Sequence, residues 1–353
     1  MEVADEFVVD FPTLGFLASD WIEWHARVPD GFARGEMFTL STWQTWIQCN
    51  HYRVKPDVVF DVERPLGAGA FFYRRSIVIA PQKTGKGPLA AGVTLFEAVG
   101  PCIFAGWAVD GDVYRCADHG CYCGFEYPYD SGEPMGMPRE TSLIQLVAMS
   151  EDQVDNMWRP LKQMVRLGPL GEFINVGEAF ARLPNDGVIE IVTSSAQTRL
   201  GNPLNFANFD ESGLYTKSNG MLRVAQTMSR GLAGMGGRGI EWSNAYDPAE
   251  NSRCQQGMES QRPDIFKFYR KPPADLSYKN KRDRARIHKY VYDGSPWVNL
   301  DDIEAEAAEL LETDPSQAER FYGNRIVAGL GSWLRDDVWE AAYAGNEMAS
   351  EPA

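Results

Sequence analysis

Residues Arg74–Ala91, reading RRSIVIAPQKTGKGPLAA, constrain the fold more than any other stretch. The run Ser76–Ala80 has the β-branched, apolar content of a buried parallel strand. A glycine-containing turn follows, and a helix opens at Pro88. Strand, Gly-Lys turn and helix in that order suit a phosphate-binding loop: backbone N–H groups and the helix N-terminus face the anion, and a lysine, here Lys86, reaches the outer phosphates. The loop departs from the usual G-x-x-x-x-G-K-S/T pattern at Ala80, which replaces the first glycine, and at Gly87, which replaces a Mg²⁺-binding hydroxyl. Taken alone, it also reads as an ordinary glycine-rich strand-to-helix turn.

A second stretch favours the phosphate reading. Leu204–Glu211, LNFANFDE, is an apolar strand ending in two carboxylates. Asp210 at that strand end suits Mg²⁺, held through water, and the adjacent Glu211 is placed to polarise an attacking water. Two ordered motifs, each closing a buried strand, predict an ATPase. Strand, helix and strand then recur: Leu143–Met149 reads as a strand, Ser150–Gln153 as a capping box, and Val154, Met157, Trp158, Leu161 and Val165 as one apolar helix face. Pro160 is expected to kink that helix. With Val188–Thr193 as a further strand, the expectation is an α/β fold: a P-loop NTPase whose mainly parallel β-sheet is flanked by helices.

With 353 residues, 44% of them hydrophobic, the chain has material for about two average domains or one large α/β domain with an appendage. No run of apolar residues is long enough to span a bilayer, and the acidic start at Glu2, Asp5 and Glu6 is unlike a signal peptide, so a soluble, unsecreted protein is expected. A net charge of -15 argues against a general nucleic-acid coat and confines any DNA contact to local patches. Lys279–Lys289, KNKRDRARIHK, is the one dense basic run, readable as a phosphate contact or as a solvated helix. Six cysteines without a signal peptide do not predict a disulfide framework.

Among the remaining segments, Phe7, Phe11, Phe16, Trp21 and Trp24 are aromatic anchors of residues 1–35. Phe38–Gln44 leads into a helix ending near Tyr52; Gln44 is placed to read adenine, or is simply an exposed helical glutamine. Within CADHGCYC, the side chains of Cys116, His119, Cys121 and Cys123 are soft ligands suited to Zn²⁺, the alternative being a loop of reduced cysteines. Asn219–Met228 predicts a helix, Gly231–Gly239 a flexible link, and Ile240–Trp242 a short strand ending at Ser243, Asn244 and Ala245. Leu300–Leu311 and Pro315–Ala328 predict a small C-terminal helical subdomain.

In order, FTLSTWQ, IVIAPQKTGKGPLAA, LIQLVAMSEDQ, SSAQTRLGNPLNFANFDES, IEWSNA and QAERFYGNRIVAG span nearly the whole chain. On these segments it resembles the large terminase subunit of tailed bacteriophages, the ATPase that drives DNA into procapsids. The resemblance implies ATP and Mg²⁺ as ligands. It implies that Gln44 reads adenine; that Pro81, Gln82, Lys83, Thr84, Gly85, Lys86 and Gly87 form the phosphate loop; that Asp210 supports Mg²⁺; and that Glu211 is the catalytic glutamate. Ser243, Asn244 and Ala245 match the family's coupling motif. Arg199 resembles its trans-acting arginine finger, with Arg139, Arg159, Arg166 and Arg238 as competitors. Partners implied are double-stranded DNA, the portal protein and procapsid, the small terminase subunit and further copies in a ring, in the cytoplasm of the infected bacterium. With Gly87 lacking a hydroxyl, the expectation is that Thr84 or water compensates or that hydrolysis is weak.

The expected division is an extension over 1–35, a P-loop ATPase domain over 36–272 with an insertion around 110–140, a linker and helical subdomain over 273–340, and a tail over 341–353. The family's nuclease domain, and with it nuclease activity, is not expected here. A helicase-like DNA-dependent ATPase and a non-hydrolysing nucleotide-binding assembly scaffold are the competing functions.

Overall fold

The computed structural model describes residues 7–63, 65, 67–193 and 202–329. Its helices are α1 (Gly15–His25), α2 (Thr42–His51), α3 (Lys86–Val99), α4 (Glu151–Leu167), α5 (Met221–Gly234), α6 (Arg253–Glu259), α7 (Lys281–Val291), α8 (Leu300–Thr313) and α9 (Pro315–Phe321). Its strands are β1 (Arg75–Ile79), β2 (Ile103–Trp107), β3 (Val113–Arg115), β4 (Glu126–Pro128), β5 (Pro134–Met137), β6 (Leu143–Val147), β7 (Asn175–Val176), β8 (Phe180–Arg182), β9 (Val188–Val192), β10 (Phe206–Phe209), β11 (Arg238–Ser243) and β12 (Ile265–Tyr269).

The central sheet runs in the order β12-β1-β11-β10-β6-β9-β8-β7. It is parallel from β12 to β9, and β8 and β7 add antiparallel pairings at one edge. The apolar runs read as strands are continuous because both sheet faces are covered. Along β1, Val78 enters the large core built with α1 to α4, while Ile77 and Ile79 enter a smaller cluster on the opposite face with Cys254 of α6. Successive strand side chains point to opposite faces, so one short β-branched strand serves both layers. On that second face Ala207 and Phe209 of β10 pack with Met221, Val224, Ala225 and Met228 of α5.

Two buried carboxylates fasten these layers. Glu97 of α3 receives Arg238 at 2.8 Å and Arg139 at 3.0 Å, with the Tyr52 hydroxyl donating to it at 3.0 Å. Glu241 of β11 receives Arg75 and Arg253, and the two arginines hold its carboxyl below the usual range against the opposing effect of burial.

One segment read as a flexible link departs from the sequence expectation. Residues Gly231–Gly239 do not form a link: α5 continues to Gly234 and β11 starts at Arg238. Arg238 is fully buried on Glu97, which draws its backbone into the sheet. The helix expected after Ser150 is α4, Glu151–Leu167, with Pro160 inside it. Residues 1–35 contribute α1 to the main core, where Trp21 meets Phe96 edge-on at 5.5 Å. Between β2 and β6 lie the hairpin β3–β4 and strand β5, which pairs back on β2. Helices α7 to α9 share their own core around Ile287, Ile303 and Ala318. Among the described residues no helix is long and apolar enough to cross a membrane.

Candidate nucleotide site

Parallel pairing brings the C-terminal ends of β1, β11 and β10 side by side, with Ile79 opposite Ser243 and Phe209 opposite Glu241. Ligands of open parallel sheets bind at such ends. The loop after β1, the carboxylates after β10 and the polar triplet ending β11 therefore converge, although up to about 160 positions separate them in sequence.

After β1 the chain takes a tight path. Lys83 has φ +68° and Gly85 φ +83°, and Gly85 is the N-cap residue of α3. A Cβ on Gly85 would stand 3.3 Å from the Trp297 ring and 3.6 Å from Gln44 Nε2, so both lie against the loop. Thr84 is buried and its hydroxyl donates to the Pro81 carbonyl at 2.8 Å, which closes the loop on itself. Helix α3 begins at Lys86, two residues before the expected Pro88, so the lysine occupies the first helical turn.

Lys86 Nζ donates to the carbonyls of Ala80 (2.7 Å) and Pro81 (2.9 Å) and to Asn244 Oδ1 (2.9 Å). The same Asn244 donates from its backbone N–H and Nδ2 to the two carboxylate oxygens of Glu211, at 3.1 and 3.0 Å. Asn244 thus bridges the lysine and the glutamate. Glu211 adopts φ +48°, a left-handed conformation uncommon for a non-glycine residue. A short helical turn, Ser212–Leu214, follows it and turns its carboxylate back to Asn244. Ser243 Oγ accepts from Gly213 N at 3.0 Å and donates to the Asn244 carbonyl at 2.7 Å. A Cβ on Gly213 would fall 2.5 Å from that hydroxyl, so this approach requires glycine.

Asp210 lies beside Glu211, its backbone N–H donating to the Val147 carbonyl at 2.8 Å. Burial and then the charge of Glu211 push its carboxyl up to about 7. Burial lowers the Lys86 pKa against the opposing pull of Glu211 and Asp210. Asn156 of α4 reaches Asp210 Oδ2 at 3.5 Å, a residue that sequence reasoning missed because nothing in its local pattern distinguishes it from an exposed helical asparagine.

Gly87 has a steric explanation. A Cβ there would lie 2.4 Å from the Asn156 carbonyl, so the close packing of α3 on α4 leaves no space for a serine or threonine. Gln44 reaches the site with its carbonyl oxygen already accepting from Ser41 N at 3.0 Å as part of a capping box; it is buried rather than exposed. The C-terminal helices also meet the loop, since Gln82 N donates to the Phe321 carbonyl at 2.8 Å.

Arg199 lies outside the described residues. Of its competitors, Arg238 and Arg139 are consumed in the core by Glu97, Arg159 pairs with Asp30 at the surface, and Arg166 is exposed on α4.

The expected zinc ligand set is corrected at one position. Cys116, Cys121 and Cys123 do gather, but their fourth neighbour is His25, the last residue of α1. His119 instead stacks on Tyr114, with ring centroids 5.2 Å apart. Packing of α1 against the insertion supplies a histidine from across the fold, where one short loop would have to strain to close four corners by itself.

No protein-family model matches the chain. It is 22% identical over 303 residues to the Gene 13 protein of Mycobacterium phage L5 and 24% identical over 308 residues to the Gene 13 protein of Mycobacterium phage D29. These alignments cover 77% and 78% of this chain but 47% and 48% of the relatives, so the chain spans about half the length of the curated relatives it matches. Among solved structures, that of the HK97 bacteriophage large terminase superposes with a TM-score of 0.58 at 18% identity, covering 93% of this chain and 58% of that one. The fold is that of a phage large terminase. The fold implied by the ordered motifs and the likeness in three dimensions agree. In this large terminase fold, the residues singled out by sequence after β1, after β10 and at the end of β11 lie together at the C-terminal ends of adjacent strands.

Proposed function

We propose that this chain is an ATP-hydrolysing region of a DNA-packaging motor, coupling hydrolysis to movement of double-stranded DNA into a procapsid. The observation that carries this reading is the hydrogen-bonded chain Lys86–Asn244–Glu211, which links phosphate loop, coupling triplet and water-polarising carboxylate. Loop amides and Lys86 bind the phosphates of ATP. Asp210 sits in a buried corner beside Glu211 and would hold Mg²⁺, which would neutralise charge on the phosphates. Glu211 orients the attacking water. An incoming γ-phosphate competes with Asn244 for Lys86; releasing Asn244 frees Glu211 and passes the change to Ser243, Gly213 and β11. Gln44 reads adenine by exchanging its bond to Ser41 for one to the base.

Completion of the site by an arginine of a neighbouring copy, Arg199 first among the candidates, belongs to the same reading, as do a ring assembly, the portal, procapsid and small terminase subunit as partners, and the infected bacterium's cytoplasm as its place of work. The test is steady-state ATP hydrolysis with and without double-stranded DNA, across protein concentration, for the wild type and Glu211→Gln. Turnover that rises with concentration and falls about 10²-fold or more in the variant supports a motor ATPase. Nucleotide binding with no turnover under any condition supports the scaffold, and strand separation in an unwinding assay supports the helicase-like reading.

A further inference from the structure

The hairpin β3–β4 and the end of α1 enclose a second constellation, remote in chemistry from the phosphate loop. We propose that His25, Cys116, Cys121 and Cys123 bind one structural Zn²⁺ ion that fastens α1 to the insertion. The four candidate ligand atoms all lie within 4.8 Å of one another. His25 Nε2 is 3.1 Å from Cys123 Sγ and 3.6 Å from Cys116 Sγ. A tetrahedron with Zn–S of about 2.3 Å and Zn–N of about 2.0 Å has edges of roughly 3.5–3.8 Å, so small side-chain movements admit the ion.

The surroundings orient these ligands. His25 Nδ1 lies 2.7 Å from the Trp21 carbonyl, which sets the N–H on that nitrogen and leaves the Nε2 lone pair facing the thiols. Trp21 also stacks on the imidazole at 3.9 Å between ring centroids. In the loop, Gly120 and Gly124 take φ +83° and +82°, folding the backbone tightly on either side of Cys121 and Cys123. Trp24 Nε1 donates to the Cys123 carbonyl at 3.3 Å, a second tie between α1 and the loop. All three cysteines are free thiols, and a single disulfide would leave the third without a partner. Three sulfurs and one nitrogen complete a closed coordination shell, the pattern of a structural rather than a catalytic zinc.

The staple reaches the nucleotide site through packing. Gly168, which ends α4, would place a Cβ 2.2 Å from the His25 carbonyl, so the zinc corner and the end of α4 are in close contact. The same helix presents Asn156 to Asp210.

The experiment is metal analysis of the full chain purified after growth with zinc, followed by exchange with Co²⁺ and absorption spectroscopy, for the wild type, His25→Ala, His25→Cys and His119→Ala. The expected wild-type result is one zinc per chain and a cobalt spectrum with thiolate charge-transfer and tetrahedral d–d bands. His25→Ala should weaken metal binding about tenfold or more. His25→Cys should retain one equivalent with shifted d–d bands, and His119→Ala should match the wild type. If His25→Ala does not fold, the His25→Cys and His119→Ala pair decides the question. Less than half an equivalent of zinc together with no cobalt–thiolate bands overturns the proposal, as does loss of metal in His119→Ala with an unshifted spectrum in His25→Cys.

Discussion

Asn244 holds Lys86 with its side-chain carbonyl while donating twice to Glu211, so the lysine and the glutamate are coupled through one side chain rather than facing each other directly. The three residues come from α3, the end of β11 and the turn after β10. Under the proposed function, such a bridge would carry a change at Lys86 to the Glu211 carboxylate.

Breaking the bridge should separate binding from turnover. In Asn244→Ala, nucleotide affinity is expected to stay within a few-fold of wild type, since Lys86 and the loop amides remain. Turnover is expected to fall about 10- to 100-fold, because Glu211 loses the Asn244 Nδ2 donor and keeps only the backbone N–H, and small misplacements at a reacting centre are costly. Lys86→Ala should lose nucleotide binding itself. Fluorescent-nucleotide titration beside a phosphate-release assay distinguishes the two patterns, and equal loss of affinity in both variants would count against the bridge.

Restoring the usual hydroxyl of the phosphate loop should harm the protein. Gly87→Ser places a Cβ 2.4 Å from the Asn156 carbonyl and forces α3 away from α4. Overpacking of this kind costs about 1–3 kcal/mol, which a urea unfolding curve will register, and turnover should not rise. A gain in activity with unchanged stability would show that the glycine is not demanded by the packing.

Removing a carboxylate from the core should be more severe. Glu97→Ala strands the guanidinium groups of Arg238 and Arg139, both buried on it, and breaking a buried pair from one side costs about 3–5 kcal/mol. Truncating the partly exposed Arg74, paired with Asp264, should cost less than about 1 kcal/mol. The two variants compared by chemical denaturation test whether burial sets the value of these pairs.

Two buried histidines predict a loss of stability in mild acid. Burial brings His288 down to about 4, with Arg284 adding to the effect and Glu304 opposing it; burial and the charge of Arg238 hold His51 well below the usual histidine value. Their folded pKa values lie below the unfolded value of about 6.5, so the unfolded chain binds more protons. The histidines' contribution to stability therefore falls as pH drops from about 6.5 toward 4, by at most about 1.4 kcal/mol per pH unit for each. Asp210, raised to about 7, contributes in the opposite sense, so the slope is read as the difference from the histidine variant. Urea midpoints at pH 7 and pH 5 measure the slope, and His288→Gln should flatten it.

Much of the sheet was legible because its strands are short apolar runs, buried on both faces, that end in turns. Residues Ser76–Ala80, Leu143–Met149, Val188–Thr193 and Ile240–Trp242 all correspond to strands within a few positions. Gly231–Gly239 misled because glycines there serve close packing: a Cβ on Gly231 would meet the Leu204 side chain at 2.4 Å. Helix α8 was readable from its acidic first turn and apolar spacing; α9 ends at Phe321, short of the expected Ala328, and the contact of its Phe321 carbonyl with the loop was not readable.

Local sequence determined which residue types stand at the strand ends: a lysine after β1, two carboxylates after β10 and a small polar triplet ending β11. Those choices are visible because each follows a continuous apolar run. Tertiary structure alone decided that Asn244 joins Lys86 to Glu211, that Asn156 excludes a hydroxyl at position 87, and that His25 rather than His119 meets the three cysteines. Each relation joins elements far apart in the chain, and its geometry follows from parallel strand register and helix packing, which no local spacing encodes.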